Sequence, residues 1–388
     1  MVKRRFWQGR LEELWAQRSV VWLMGVRRVG KTSLVRSLTG VEYLDCELPR
    51  TRRTLDDPEV FLESVRGRRV ALDEIQRLAD PAQLLKIAAD HYPDVQLVAT
   101  GSSTLGASAR FRDTLAGRKA ELWLTPMVSP DLGDFRRPDL RHRLLHGGLP
   151  PYFLSKELPE REFQEWTDAF WARDIQELFR VERRASFQRF LELLLAQSGG
   201  IFEATRFARD CEVSRTTITN YLSLLEATFV VHVVRPFSTR RAQEILSAPK
   251  VYGFDTGFVC THRGWDRLRS EDLGQLWEHY VLNEIHGRLG ERRVQYWRDK
   301  QGHEVDFVIA PRGRAPIAIE CKWSERNLDT AGLQAFLRAY PRATAYVVTH
   351  DAARASRRRA GQGEYEVLGL EALIEALAAR RARNGPPR

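Results

Sequence analysis

The sequence predicts an α/β protein of several domains, and three observations carry that prediction. The apolar run Val20-Val21-Trp22-Leu23-Met24 leads into the glycine loop Gly25-Val26-Arg27-Arg28-Val29-Gly30-Lys31-Thr32 and then into a helix-forming stretch over 33–38. A second apolar run, 69–73, ends in the carboxylate pair Asp73-Glu74. In the last third, a helical pattern is followed by three strand-like runs, a helix and a strand, an αβββαβ order that carries Asp306 and the triplet Glu320-Cys321-Lys322.

Strand, glycine loop and helix in that order are the context a phosphate-binding P-loop requires. Gly25 and Gly30 let backbone N–H groups close around phosphate oxygens, with Val29 and Ser33 flanking the cradle, and Lys31 reaches the β- and γ-phosphates. Thr32 is placed to ligate Mg²⁺. Before the loop, Leu11, Leu14 and Trp15 recur at helical spacing, so residues 7–17 are expected to be helical. After it, 41–45 is a strand, and 49–58, rich in Arg, Thr, Asp and Pro, is expected to be a loop. The acids that close strand 69–73 stand where a P-loop enzyme holds Mg²⁺, here Asp73, and polarises the attacking water, here Glu74. A further buried strand, 96–100, puts Thr100 and Ser102 at the end where open α/β sheets bind ligands, as candidate γ-phosphate sensors. Arg110, Arg112 and Arg118 follow. A guanidinium from a neighbouring subunit can stabilise charge on a γ-phosphate, and these three are the candidates for that role, with Arg118 put forward among them.

From 126 to about 195 the pattern becomes helical, broken by Pro130, Pro138, Gly147-Gly148 and Pro150-Pro151, and reads as a helical lid. Two short helices, 204–211 and 215–228, then flank a tight turn with Ser214 as N-cap. With a strand pair from 229 onward they make a winged helix-turn-helix, which leaves Arg215, Thr216, Thr217, Thr219 and Asn220 at the start of the helix that enters a DNA major groove. Farther on, Glu278 shares a helix face with Val281, Leu282 and Ile285. Glu320 and Lys322 alternate to one side of their strand, and Asp306 lies on the strand paired with it. Glu278, Asp306 and Glu320 together can hold Mg²⁺, with Lys322 placed to activate water or steady a phosphate. Residues 351–363 are expected to be a basic loop, 370–382 a last helix and 384–388 a frayed end.

Composition narrows the partners. Of 388 residues, 61 are Lys or Arg and 51 Asp or Glu, a formal charge of +10 and a pI near 9.6, which favours a polyanion such as DNA. Four dispersed cysteines, Cys46, Cys211, Cys260 and Cys321, indicate neither a zinc module nor a disulfide framework, in keeping with a reducing cytoplasm. No run reaches the length of a membrane span, and the start of the chain has no signal-type apolar core.

With these residues in view, the chain resembles the bacterial and archaeal AAA-type ATPases of the AAA_14 kind that carry a C-terminal DUF4143 domain. The resemblance rests on Gly25 to Thr32, Leu72-Asp73-Glu74-Ile75-Gln76, Thr100-Gly101-Ser102-Ser103, Ala116-Gly117-Arg118 and Gly147-Gly148-Leu149-Pro150. It continues through Pro249-Lys250-Val251-Tyr252 with Asp255 and Gly257, Trp297-Arg298-Asp299-Lys300, Glu304-Val305-Asp306-Phe307 and Glu320-Cys321-Lys322. It implies an ATPase core over 1–125, a helical lid over 126–197, a winged helix over 198–248, and a restriction-endonuclease-like PD-(D/E)xK domain over 249–382, with a disordered tail at 383–388. The last domain is then similar to archaeal Holliday-junction resolvases, although Val305 and not proline precedes Asp306. The function expected is an ATP- and Mg²⁺-dependent motor or remodeller of duplex or branched DNA, acting as a homo-oligomeric ring, plausibly a hexamer. An ATP-regulated endonuclease and a slow nucleotide switch of signalling or toxin-antitoxin type are the alternatives.

Overall fold

The computed structural model describes residues 2–101, 114–176, 183–239, 248–311, 313–326, 328–361 and 363–382. The chain divides into two compact units. The first comprises Met1–His142, His146–Arg184 and Leu222–Val230, the second Arg143–Leu145, Ala185–Tyr221 and Val231–Arg388.

The first unit is built on five parallel strands, β1 (Val20–Met24), β2 (Val41–Asp45), β3 (Arg69–Asp73), β4 (Gln96–Thr100) and β5 (Lys119–Trp123), in the order β2-β3-β4-β1-β5. Helices cover such a sheet, so its strands read as continuous apolar runs, and every residue of β1 is buried. Trp22, Leu72 and Leu97 from the sheet pack with Phe61, Leu62 and Leu85 from the helices Pro58–Ser64 and Pro81–His91. The first helix, Arg5–Trp15, starts two residues earlier than its periodicity predicts and buries Trp7, Leu11 and Trp15. Because the strands are parallel, the carboxyl ends of β1, β3 and β4 lie on one edge, so the P-loop, the Asp73-Glu74 pair and Thr100 arrive together there.

One stretch of this unit departs from expectation. Residues 49–58, expected to be a loop, form the helix Pro49–Thr54 and the start of Pro58–Ser64. Proline at the first helical position loses no hydrogen bond, and Asp57 accepts the N–H groups of Glu59 and Val60 as an N-cap. The residues that read as loop formers are here helix starters.

The second unit holds a nine-stranded mixed sheet in the order β13-β14-β12-β11-β10-β9-β7-β8-β6. Its members are β6 (Gly200–Ile201), β7 (Val231–Pro236), β8 (Lys250–Gly253), β9 (Gln295–Arg298), β10 (Glu304–Ile309), β11 (Ile317–Lys322), β12 (Thr344–Thr349), β13 (Ser356–Ala360) and β14 (Gly363–Leu368). The expected αβββαβ order is present as the helix Ser270–Leu289, the antiparallel β9, β10 and β11, the helix Ala331–Ala339 and β12, which runs parallel to β11. Beyond β12, the stretch expected to be a basic loop supplies β13, paired antiparallel with β14. Its arginines suit an edge strand, where charge blocks further pairing.

On the other side, β7 pairs with both β8 and β9. The expected boundary at 248/249 therefore falls between two hydrogen-bonded strands of one sheet. The wing expected just after Pro236 differs as well, because the partner of β7 is β8 at Lys250–Gly253, and residues 240–247 lie outside the described residues. Helices Ala204–Asp210 and Arg215–Ala227 stand where expected, with Ser214 Oγ accepting the Thr217 N–H at 3.0 Å. The expected frayed end, 384–388, and the tail 383–388 that contains it also lie outside the described residues.

Candidate nucleotide cleft and a second carboxylate cluster

The P-loop borders a cleft of about 700 Å³ in the first unit, within the range of sites that enclose small ligands. Gly25 is required by space, since a Cβ there would collide with the Leu124 carbonyl oxygen. Gly30 caps the helix Lys31–Arg36 at φ 104°, a left-handed conformation that glycine adopts without steric cost. Lys31 is buried, and its Nζ donates to the carbonyls of Gly25 at 2.8 Å and Val26 at 3.2 Å, inside the loop it would leave to meet a phosphate. Thr32 and Ser33 line the cleft. Val29, expected to flank the cradle, does not line the cleft: its side chain is buried and its carbonyl accepts Arg4 Nη1 at 2.9 Å.

Across the cleft, Asp73 is buried at the end of β3, where it accepts the Tyr43 hydroxyl at 2.7 Å and the Thr100 hydroxyl. Burial, together with Asp73, pushes the Tyr43 hydroxyl well above its ordinary pKa, so it remains a donor. Arg36 in turn donates to Tyr43 at 2.9 Å. Glu74 turns away from the strand at φ 55°, a left-handed conformation that costs a non-glycine residue about 1–3 kcal/mol. Its N–H donates to Thr100 Oγ1 at 3.1 Å, and its carboxylate accepts Gln76. Thr100 thus links the Asp73 carboxylate to the Glu74 backbone. An apolar wall is supplied by Pro150, Pro151, Trp166 and Phe170, the two aromatic rings stacked at 5.3 Å and Trp166 Nε1 donating to the Arg27 carbonyl at 3.0 Å.

Sequence reasoning missed Arg4. Only 3% exposed, it braces the P-loop through Val29 and is held by Asp131 through Nε at 2.8 Å and Nη2 at 2.6 Å. Arginine in a basic N-terminal run gives no signal of burial. Arg118 is placed elsewhere. Lys119 pairs with Val20, so Arg118 sits at the amino end of β5, on the edge opposite the P-loop, and pairs with Asp90 at 2.8 Å. Ser102, Ser103, Arg110 and Arg112 lie outside the described residues.

The second unit gathers Glu278, Asp306, Glu320 and Lys322, and adds three residues that motif reading passed over as site residues: Lys250, Tyr252 and Glu304. Each strand contributes an i, i+2 pair, Lys250 and Tyr252 from β8, Glu304 and Asp306 from β10, and Glu320 and Lys322 from β11. Such pairs project to one face of a sheet. That alternation is the signal that could have found Lys250.

Lys250 Nζ lies 3.5 Å from Glu278 and pairs with Glu304, while the Tyr252 hydroxyl donates to Glu278. Lys322 pairs with Glu320 Oε1 at 2.8 Å, and Asp306 accepts the Cys321 N–H at 2.7 Å. Burial, then the neighbouring Asp306, pushes Glu278 up to about 7 and Glu320 up to about 8. Asp306 is raised by burial too. The lysines respond oppositely: burial pulls both down, but the surrounding carboxylates outweigh it and raise them. Glu320 is 7% exposed, and its Oε2 has no hydrogen-bond partner. These oxygen donors are of the kind that Mg²⁺ takes. Among the described residues, no three His, Cys, Asp or Glu side chains stand close enough together to hold a metal ion.

On the helix Arg215–Ala227, Arg215, Thr216 and Asn220 are exposed, Thr217 is half-buried, and Ile218 faces the core. Among the described residues, no helix is long and apolar enough to cross a membrane.

Comparison with known proteins matches residues 17–131 to the AAA domain family AAA_14, 137–269 to a domain of unknown function, DUF8612, and 273–370 to another, DUF4143. The uncharacterized protein Rv2008c of Mycobacterium tuberculosis is 30% identical over 335 residues, covering 83% of this chain and 74% of that protein. The uncharacterized protein Mb2031c of Mycobacterium bovis gives the same values. Among solved structures, the Walker-type ATPase PABY2304 of Pyrococcus abyssi is similar with a TM-score of 0.43 at 17% identity, over 68% of this chain and 96% of that one. McrB of Thermococcus gammatolerans, from AAA+ hexamers with bound McrC, gives 0.25 at 10% identity over 65% and 74%. The chain therefore belongs to the family that includes Rv2008c and Mb2031c, with an AAA domain over 17–131 and a DUF4143 domain over 273–370.

Proposed function

We propose that the first unit binds and hydrolyses ATP, and that hydrolysis drives a motor or remodeller that grips duplex or branched DNA, such as a Holliday junction. The observation that carries this reading is the meeting, on one sheet edge, of the P-loop with Asp73 and Glu74 around one cleft, with Thr100 buried beside them and hydrogen-bonded to both residues. Lys31 leaves its loop carbonyls for the β- and γ-phosphates. Thr32 and Asp73 would hold Mg²⁺, which when bound offsets phosphate charge. Glu74 orients and accepts a proton from the attacking water, and Thr100 ties its backbone to Asp73. Trp166 and Phe170 offer an apolar wall for the base.

The net charge of +10 and the exposed Arg215, Thr216 and Asn220, with the half-buried Thr217 beside them, support a DNA partner. Arg118, on the far edge of its own sheet, could reach a γ-phosphate only in a neighbouring copy, so its role as a finger goes with a homo-oligomeric ring such as a hexamer. The test is ATP turnover with single-stranded, duplex and four-way-junction DNA, for wild type and Lys31→Ala. DNA-stimulated turnover abolished in Lys31→Ala supports the reading. Tight binding with slow turnover indifferent to DNA would replace it with a nucleotide switch.

A second reading is favoured by Glu320 Oε2, a buried carboxylate oxygen without a partner beside Asp306 and Lys322. It makes the DUF4143 domain a PD-(D/E)xK-like nuclease whose cutting is licensed by the ATPase. Mg²⁺-dependent cleavage lost in Lys322→Ala supports it, and intact DNA under all nucleotide states rules it out.

A further inference from the structure

One residue past Lys322, a row of aromatic rings climbs to the surface of the second unit. Trp277, on the helix Ser270–Leu289, is 2% exposed and donates Nε1–H to the Val348 carbonyl at 3.1 Å. Trp323 stands edge-on to it at 6.0 Å and is half-buried. The exposed His350 lies flat on Trp323, their ring centroids 3.8 Å apart and their planes 7° from parallel. His350 Nδ1 is 2.7 Å from the Trp323 carbonyl oxygen. A carbonyl only accepts, so Nδ1 carries the proton and the imidazole is locked in place. With one ring face taken up by Trp323, the exposure of His350 falls on the other.

Trp323 and His350 follow the carboxyl ends of the parallel strands β11 and β12, the edge at which open α/β sheets bind ligands. The acids of the two loops there are occupied within them. Asp351 accepts Ser324 Oγ at 2.6 Å and the Glu325 N–H at 3.0 Å, and Glu325 pairs with Arg358 at 2.6 Å. Arg326 and Arg354, one in each loop, are exposed and have no ion-pair partner among the described residues. A flat open ring with a free guanidinium in each flanking loop matches the two parts of a nucleotide strand, base and phosphate. Bases inside a duplex present no open face, so a base stacked on a side chain comes from an unpaired strand.

We propose that this edge of the second sheet docks single-stranded DNA, with one base stacked on His350 and neighbouring phosphates on Arg326 and Arg354. The inference rests on the reading of DNA as the partner, and it is independent of the nucleotide cleft.

The test is binding of the full chain to fluorescein-labelled oligo-dT, followed by anisotropy, against an abasic strand of the same length and charge. Oligo-dT should bind at least about tenfold more tightly, as base stacking allows. His350→Ala alone would bare Trp323 for the same use. The double variant Trp323→Leu with His350→Ala is therefore measured, and it should bind the two strands alike. Arg326→Gln with Arg354→Gln should weaken both strands and reduce the slope of log affinity against log salt by about 1.4, the value for two phosphates of a single strand.

Oligo-dT carrying iodouracil needs no variant. Irradiated on wild type, it should crosslink to the peptides holding Trp323 or His350, read by mass spectrometry. Abasic strand bound as tightly as oligo-dT, or crosslinks confined to other peptides, would overturn this surface and leave the DNA reading standing. Tighter binding of oligo-U RNA would overturn the assignment to DNA. No binding of any single-stranded, duplex or four-way DNA would remove the DNA reading with it, and ATP turnover by the same preparation would show that the chain is folded.

Discussion

The nucleotide cleft of the first unit and the carboxylate cluster of the second are made of the same residue types, aspartate, glutamate and lysine, and they differ in what answers the charges. Asp73 is met by the hydroxyls of Tyr43 and Thr100, and Lys31 by loop carbonyls. Both line one cleft. In the second unit, lysine answers glutamate directly, through Lys250 with Glu278 and Glu304 and Lys322 with Glu320. Neutral donors and acceptors keep a site ready for a charged ligand, whereas ion pairs leave it satisfied.

The sharpest way to break the contrast is at the ready site. Glu74→Gln should lower the rate of ATP turnover by about 10²–10⁴-fold, the usual contribution of a positioned base, while leaving nucleotide binding in place. Turnover at the wild-type rate, in a steady-state phosphate-release assay, would remove Glu74 from the chemistry.

Next in size is the brace behind the P-loop. Arg4→Met leaves Asp131, itself fully buried, without its cation, and breaking such a pair costs about 3–5 kcal/mol. A denaturant midpoint within error of wild type would show that the pair does not hold the loop.

The second unit should also answer to pH. Glu320 is raised from 4.5 to about 8 in the folded chain. Its contribution to stability is complete below the unfolded value and lost as pH rises through about 8, a matter of a few kcal/mol. His279 and His286 lie in the same unit and are held by burial at about 3 and about 4 against an ordinary 6.5. Their contribution runs the other way, complete above 6.5 and lost as pH falls towards the folded values. The two trends oppose each other between about 4.5 and 6.5, so thermal midpoints should fall below about 4.5 through the histidines and fall from about 6.5 towards 8 through Glu320 and Glu278, which is raised to about 7, and Glu320→Gln should lessen this second, alkaline limb. An unchanged alkaline limb would mean that Glu320 ionises freely.

The smallest effect concerns DNA. Arg215→Ala should weaken binding modestly and reduce the slope of log affinity against log salt by about 1, if the guanidinium meets a phosphate. A full loss of binding would point to a structural role, and an unaltered slope to a contact surface elsewhere.

Much of the first unit was legible in the sequence because a buried parallel sheet writes itself as uninterrupted apolar runs and the P-loop has a fixed spacing. Lys31, Thr32, Asp73, Glu74 and Thr100 could be read from those two signals together. Arg4 and Tyr43 could not, since each acts across a long sequence separation and looks locally like a surface residue, and Lys250 shows itself only through the i, i+2 alternation it shares with Tyr252. The helix at Pro49–Thr54 and strand β13 were hidden for a different reason. Proline serves turns and helix starts alike, and an edge strand rich in arginine resembles a solvated loop.

The central claim is that the cleft beside Lys31 holds a nucleoside triphosphate. Titration of the full chain with a fluorescent ATP analogue and Mg²⁺ tests it most directly. Saturable binding that ATP competes away and that Lys31→Ala abolishes is the result predicted. Equal binding by wild type and Lys31→Ala, or none by either folded protein, would contradict it.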